Sequence, residues 1–277
     1  MSKNNDQEEF WNADGGKRWV EDIDRLESML SGLSDKLISS VAAKEGESAL
    51  DVGCGGGITS AAIASAVGAK GSVLGVDISE VILNVARTRF GKVGNLTFAT
   101  ADAAEFPFEA NQYDVITSRF GVMFFPQPDV AFSNLRRAGK SDARMVFICW
   151  RALAENPWMG APAAAAFTTL TPPEKPAPGT PGPFSLADPQ HVKQLMGAAG
   201  FIDIKLSPID EKLNLGKVDD ALGFMTKLGP AAQPLREATE DQRQVAIAAM
   251  RGVLESNSTD EGVLMSGAVW LVEAKIP

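Results

Sequence analysis

Residues Ala49-Leu50-Asp51-Val52-Gly53-Cys54-Gly55-Gly56-Gly57 constrain this chain more than any other stretch. A short apolar run ends in an acid, a glycine loop follows at once, and Ile58–Ala64 then reads as a helix. A glycine-rich turn between a buried strand and a helix N-terminus is the arrangement of a nucleotide-type cofactor site. Glycine suits it because it takes φ > 0 and carries no Cβ to hold a ligand off the backbone. The spacing narrows the choice. A dinucleotide fingerprint is G-x-G-x-x-G/A; counted from Gly53, its third position falls on Ile58, whose β-branch would hold helix and strand apart. The pattern present is acidic-x-G-x-G-x-G, formed by Asp51, Gly53, Gly55 and Gly57.

That pattern resembles motif I of the class I S-adenosylmethionine (SAM)-dependent methyltransferases. The resemblance implies an α/β, doubly wound, Rossmann-like sheet of seven strands in the order 3-2-1-4-5-7-6, strand 7 antiparallel, with a helical N-terminal cap and lid insertions. It implies that Asp51 serves the ammonium of the SAM amino-acid end, directly or through water, and that Cys54 contributes its backbone to the loop. The plainer alternative is that Asp51 caps the glycine turn. Ser72–Asp77 reads as a second buried strand, with its acid twenty residues after Gly57, where a carboxylate can accept from both ribose hydroxyls. Asp77-Ile78-Ser79 is similar to the family's D-x-S motif, with Ile78 against the adenine face; Asp77 or Ser79 also suits a helix N-cap. Leu96–Ala103 reads as a third strand with Asp102 at its exit. The resemblance sets Asp102 against the adenine amino group and the Ala103 amide against a ring nitrogen; an Asx-turn is the alternative for Asp102. Tyr113–Val122 reads as the fourth strand and its exit loop, with Arg119, Phe120 and Met123 as cofactor- or substrate-facing candidates. Ordinary core is the alternative for Phe120, Met123, Phe124 and Phe125, so only part of this run should line a pocket. The resemblance covers Leu50 to Arg151 well and lies near the ubiquinone/menaquinone C-methyltransferase type.

Composition agrees with a globular enzyme. The chain has 277 residues, 45% of them hydrophobic, and a net charge of −9. No Lys/Arg run forms a basic stripe, so a nucleic-acid partner is not expected. No stretch of about 18 apolar residues occurs, and residues 1–10 hold no apolar signal region; a cytoplasmic protein without a membrane span is expected, as a monomer or homodimer. Cys54 and Cys149 lack metal-ligand spacing. The sole histidine, His191, falls in a helix start capped by Asp188. No metal is expected, nor a Ser-His-Asp hydrolase.

Four stretches follow: a helical cap over 1–45, a SAM-binding core over 46–151, a lid or substrate loop over 152–187, and the rest of the sheet over 188–277 with a helical insertion at 217–256. In the cap, Leu26, Leu30, Leu33, Leu37, Ile38 and Val41 give one apolar face, which suits either the sheet's flank or a lid; Trp11 and Trp19 suit a lid over the pocket. Residues 171–186, with Pro172, Pro173, Pro176, Pro178, Pro181 and Pro183, read as irregular, and Phe184 as a pocket wall on their return. Residues 201–206 and 263–276 read as the last strands, with helices over 218–228 and 239–256 between them and lying over the substrate. Trp150 and Trp158 join Trp11, Trp19, Met123 and Phe184 as substrate-facing candidates.

The chemistry implied is an in-line displacement that moves the SAM methyl to a small-molecule acceptor, an N, O, C or S nucleophile. Proximity and exclusion of water can supply much of the catalysis. No general base stands out. Arg119 could orient an anionic group of the substrate, or sit in a salt bridge. Two alternatives are an NAD-dependent oxidoreductase, against which Ile58 argues, and a non-catalytic SAM-binding partner module, against which the intact Asp51, Asp77 and Asp102 argue.

Overall fold

The computed structural model describes residues 5–177 and 179–277. Residues 1–4 of the expected cap and Pro178 of the proline-rich stretch lie outside the described residues. Helices α1 (Asn5–Asn12), α2 (Asp14–Glu21), α3 (Ile23–Met29) and α4 (Ser31–Val41) lead into β1 (Ser48–Val52), α5 (Ile58–Val67), β2 (Ser72–Asp77), α6 (Glu80–Phe90), β3 (Leu96–Thr100) and β4 (Tyr113–Arg119). Then come α7 (Pro128–Ala138), β5 (Gly139–Trp150), α8 (Pro157–Ala166), α9 (Pro189–Ala198), β6 (Ile202–Asn214), α10 (Val218–Leu228), α11 (Ala232–Glu237), α12 (Glu240–Glu255), β7 (Ser258–Thr259) and β8 (Gly262–Lys275).

The seven main strands run β3-β2-β1-β4-β5-β8-β6, and the two-residue β7 pairs with the start of β8. β1 to β5 are mutually parallel, and β8 runs antiparallel to both β5 and β6. This is the expected order 3-2-1-4-5-7-6 with the reversed strand inserted last. A classical dinucleotide fold runs 3-2-1-4-5-6, so topology separates the two. β1 is buried from Ala49 to Val52, and Leu50 and its β4 partner Ile116 are wholly buried, as parallel strands covered on both faces must be.

The N-terminal segment is four short helices, interrupted at Ala13, Asp22 and Leu30. α4 lies against α5, β4 and β5, so its leucine face, with Leu33, Leu37 and Val41 fully buried, covers the sheet's flank. α6 is capped by Ser79, whose Oγ accepts from the Ile82 amide at 3.2 Å, and α9 by Asp188, which accepts from the Gln190 amide at 2.9 Å. Ser79 takes the capping role and leaves Asp77 for the loop.

β6 extends eight residues beyond the expected 201–206, paired along β8 as far as Asn214↔Leu264. Its continuation Ser207–Asn214 is polar, and Pro208 interrupts it; both features belong to an edge strand, which needs only one apolar face and tolerates proline. A third helix, α11, stands between the two expected in the insertion; Gly229-Pro230 and Pro234 hid its short period. α10 reaches the cap, where the Arg25 guanidinium sits 4.5 Å from the Phe224 ring centroid. Among the described residues no helix is long and apolar enough to cross a membrane.

Candidate functional site

A cleft opens at the carboxyl ends of β1 to β4, the place where open α/β sheets bind ligands. Its floor is the end of each strand in turn: Val52 and Gly53, Val76 to Ile78, Ala101 to Ala103, and Arg119 to Gly121. Its roof is Gln7, Trp11 and Trp19 from α1 and α2, with Phe124 and Phe125 beside them.

The glycine loop is wound by three left-handed glycines, Gly53 (φ 66°), Gly55 (φ 54°) and Gly57 (φ 83°). Gly53 and Cys54 both donate their amides to the Val76 carbonyl, at 2.8 and 3.0 Å, which lashes the loop to β2. A Cβ on Gly53 would stand 2.6 Å from the Gly121 Cα, and one on Gly57 within 2.9 Å of the Phe98 ring. A Cβ on Gly55 would meet nothing within 4 Å. The loop is therefore packed tight on the protein side and open on the cleft side. Ile58 is 40% exposed, and the close approach at Gly57 is to Phe98 of β3 and to Ala86 and Phe90 of α6.

Asp77 organises the loop. Its Oδ2 accepts from the Gly55 amide and its Oδ1 from the Ser79 amide, both at 2.9 Å. Each oxygen keeps a second lone pair. Burial raises the carboxyl above the usual aspartate range, against the backbone amides of Ser79, Gly55 and Ile78, which lower it. Asp102 Oδ1 accepts from the Ala104 amide at 2.9 Å in an Asx-turn, and its residue still lines the cleft beside Ala103.

Asp51 is wholly buried. Its Oδ2 accepts from Ser60 Oγ at 2.6 Å, while its Oδ1 has no partner. Burial moves this carboxyl from the ordinary 3.8 up to about 6, countered in part by Ser60 and Arg119. Arg119 lines the cleft, donates to Ser34 Oγ at 2.8 Å, and lies 3.9 Å from Glu27. Burial lowers its pKa, against Glu27 and Asp51, which raise it. Phe120 is a non-glycine residue at φ 65°, held there by its amide bond to the Ile148 carbonyl at 3.1 Å and by stacking on Trp150, centroids 4.4 Å apart at 11°. Such strain survives only where the surroundings enforce it, and it gathers at functional sites.

The roof is an edge-to-face aromatic group. Trp11 stands 5.8 Å from Trp19 and 5.3 Å from Phe124, at 85° and 87°. It is pinned to the D-x-S loop: Ser79 Oγ donates to the Trp11 carbonyl at 2.6 Å, Asn12 Nδ2 donates to the Ile78 carbonyl at 3.0 Å, and the Glu80 amide donates to Asn12 Oδ1 at 2.9 Å.

Of the residues singled out from sequence, Gly53, Gly55, Asp77, Ile78, Asp102, Ala103, Arg119, Phe120, Trp11 and Trp19 meet in this lining. Asp51, Cys54 and Gly57 lie behind it, forming the loop's buried side. The structure does not bring Met123, Trp150, Trp158 or Phe184 to the cleft wall. Met123 is 1% exposed and takes the Trp150 amide on its sulfur at 3.4 Å; Trp150 and Trp158 form a second layer behind Phe120, 5.2 Å apart. Phe184 packs on the hydrophobic core, and its segment reaches the site only through the Met123 carbonyl, which accepts from Gly182 N and Ser185 Oγ. The lining lies wholly between Gln7 and Phe125, so the segments 152–187 and 217–256 supply none of it.

Phe124, Phe125 and Gly121 belong to the lining although the sequence reading passed them over. A Gly directly after a strand exit was the available sign for Gly121, whose Cβ would lie 2.7 Å from the Val52 carbonyl; nothing local separated Phe124 and Phe125 from core. Among the described residues no cluster of His, Cys, Asp or Glu could hold a metal ion.

Residues 49–142 match the family model described as a methyltransferase domain. The matched segment runs from β1 through the glycine loop to the start of β5, about a third of the chain. The chain is 34% identical over 128 residues to a demethylmenaquinone methyltransferase of Staphylococcus aureus, an alignment covering 44% of this chain and 53% of the relative; it thus spans about half the length of the curated relatives it matches. Among solved structures, a phosphoethanolamine N-methyltransferase 2 of Haemonchus contortus in complex with SAM superposes with a TM-score of 0.61 at 18% identity, covering 100% of this chain and 60% of that one. A candidate methyltransferase of Bacillus halodurans C-125 superposes with a TM-score of 0.59 at 19% identity, covering 88% and 98%. At these identities the likeness is one of fold.

Proposed function

We propose that this protein transfers the methyl group of SAM to a small-molecule acceptor that brings its own reactive lone pair. One observation carries it: Gly53 and Gly55 of the loop, Asp77 and Asp102 face a single cleft in which the missing Cβ of Gly55 leaves open space. The residues fit the cofactor. Asp77 has lone pairs left for ribose hydroxyls, Ile78 and Phe120 offer apolar faces to a flat base, and Asp102 with the Ala103 amide offers an acceptor and a donor at its edge. Asp51 Oδ1, buried and unpartnered, suits an ammonium group in reach of the loop. The bound sulfonium supplies an electrophilic methyl that an aligned lone pair can displace.

The protein's own part is placement and drying. The aromatic roof of Trp11, Trp19 and Phe124 excludes water and offers faces that attract cations. The described lining has no His, Tyr, Cys or Lys; Tyr113 is buried against Phe108, and His191 sits on α9. Asp77 and Asp102 are engaged by backbone amides. Acid–base work is therefore not prepared here, which favours acceptors such as a neutral amine, a thiolate or a stabilised carbanion over a weakly acidic alcohol. Arg119 suits an anionic group.

Calorimetric titration of S-adenosylhomocysteine against NAD tests the cofactor; we expect the first to bind and the second not to, and NAD binding alone would overturn the proposal. An assay of S-adenosylhomocysteine release over amines, thiols and quinols tests the reaction. Tight binding with no turnover over that panel would favour a non-catalytic module.

A further inference from the structure

Glu27, on α3 of the cap, is a buried carboxylate that faces two arginines yet makes no hydrogen bond. Its side chain is 8% exposed, and neither of its oxygens has a hydrogen-bond partner. Its neighbours of opposite charge, Arg89 at 3.7 Å and Arg119 at 3.9 Å, stand beyond hydrogen-bond reach. Folded proteins rarely leave a buried carboxylate without donors. The group lies directly on the glycine loop: a Cβ on Gly56 would come within 2.8 Å of Glu27 Oε1. Asp51 Oδ1, the other orphaned oxygen, lies at the strand end that feeds the same loop. Arg119 stands between the two acids, feels the charge of both, and reaches the cleft. Of its five N–H donors, one is committed to Ser34. Negative, positive and negative groups around one glycine turn are complementary to a small zwitterion.

We propose that Glu27 and Asp51 together receive the α-ammonium of the methionyl end of the cofactor, while Arg119 takes its α-carboxylate, so that the cap supplies half of the charge recognition at the loop. This rests on the SAM reading above. It makes α3 part of the cofactor site, and it gives the long Arg119–Glu27 spacing a purpose: the donors that Glu27 lacks and the acceptors that Arg119 lacks in the protein come from the ligand.

The test compares two probes on the full chain by calorimetry: S-adenosylhomocysteine, which carries the zwitterion, and 5′-methylthioadenosine, which lacks it. For Glu27→Gln we expect S-adenosylhomocysteine to bind about tenfold or more weakly, as loss of a charged hydrogen bond implies, with 5′-methylthioadenosine unchanged and the melting temperature not lowered. Unchanged S-adenosylhomocysteine affinity, or equal weakening of both probes, would overturn the proposal. Should that variant not fold, Arg119→Lys carries the same comparison, with the same two outcomes. Wild-type protein that binds neither probe would overturn the SAM reading itself, a result distinct from a failure of Glu27 alone.

Discussion

The floor and the roof of the cleft are built on opposite principles. The floor is main chain and carboxylate: amides of Gly53 and Gly55 tied to β2, and acids at the tip of β2 and the β3 exit. It comes from consecutive parallel strands, so each group is placed by the strand that ends in it. The roof is aromatic side chain from α1 and α2, held to the floor by three hydrogen bonds at Ile78 to Glu80. Rigid recognition of a shared cofactor belongs on the sheet; a removable cover belongs on short helices with few anchors. Ligand affinity should therefore depend steeply on the floor and release rate on the roof.

The largest effect tests the floor. Gly55→Val puts a branched side chain into the open cleft from a residue at φ 54°. We expect S-adenosylhomocysteine affinity to fall more than about 100-fold, beyond what one lost contact explains, with a melting point reduced by the left-handed strain of about 1–2 kcal/mol. A variant that folds and binds normally would show that the loop does not face the ligand.

Next, Asp77→Ala removes the partner of two amides and the acceptor offered to the ribose. A loss of about 1.5–3 kcal/mol in binding is expected. Calorimetry showing no change would remove Asp77 from the floor.

Third, Asp51 links affinity to pH. Its carboxyl titrates at about 6 in the fold against the ordinary 3.8. Because the folded value is raised, its contribution to stability is full below about 3.8 and lost as pH rises through about 6. An ammonium ligand prefers the ionised form, so S-adenosylhomocysteine should bind up to about tenfold more weakly at pH 5 than at pH 7. Its stabilisation of the fold in thermal melts should shrink to match. Affinity flat over that range would show that Asp51 does not face a cationic group.

The smallest effect concerns the roof. Asn12→Ala deletes the two hydrogen bonds by which this side chain ties the roof to the floor, and one to the Glu8 carbonyl within α1, each worth about 0.5–1.5 kcal/mol. Stopped-flow displacement should show faster release of S-adenosylhomocysteine, by a factor of about 2–10, with affinity little changed. Equal losses to Asp77→Ala would mean that roof and floor act as one unit.

Between the two, legibility in the sequence differs for a physical reason. Asp51, Gly53, Gly55, Asp77 and Asp102 could be read because strand, turn and helix are local in the chain, and a turn that needs φ > 0 leaves glycine as its mark. The strand order followed from the family resemblance, not from any local pattern. β6 was underread because an edge strand needs few apolar residues, and α11 because prolines broke its period. Trp150 and Trp158 read as pocket residues on composition alone, yet packing set them in a layer behind Phe120, whose positive φ no local signal announces.

The sequence by itself determined the loop, the acids that follow it and the fold that presents them, because short-range backbone chemistry dictates each. Only the tertiary structure decided which aromatics face the cleft, that the lid segments contribute nothing to its wall, and that Glu27 rests unpartnered on Gly56. Those outcomes depend on how four short helices dock on a sheet, and docking is settled by shape and burial summed over residues far apart in the chain.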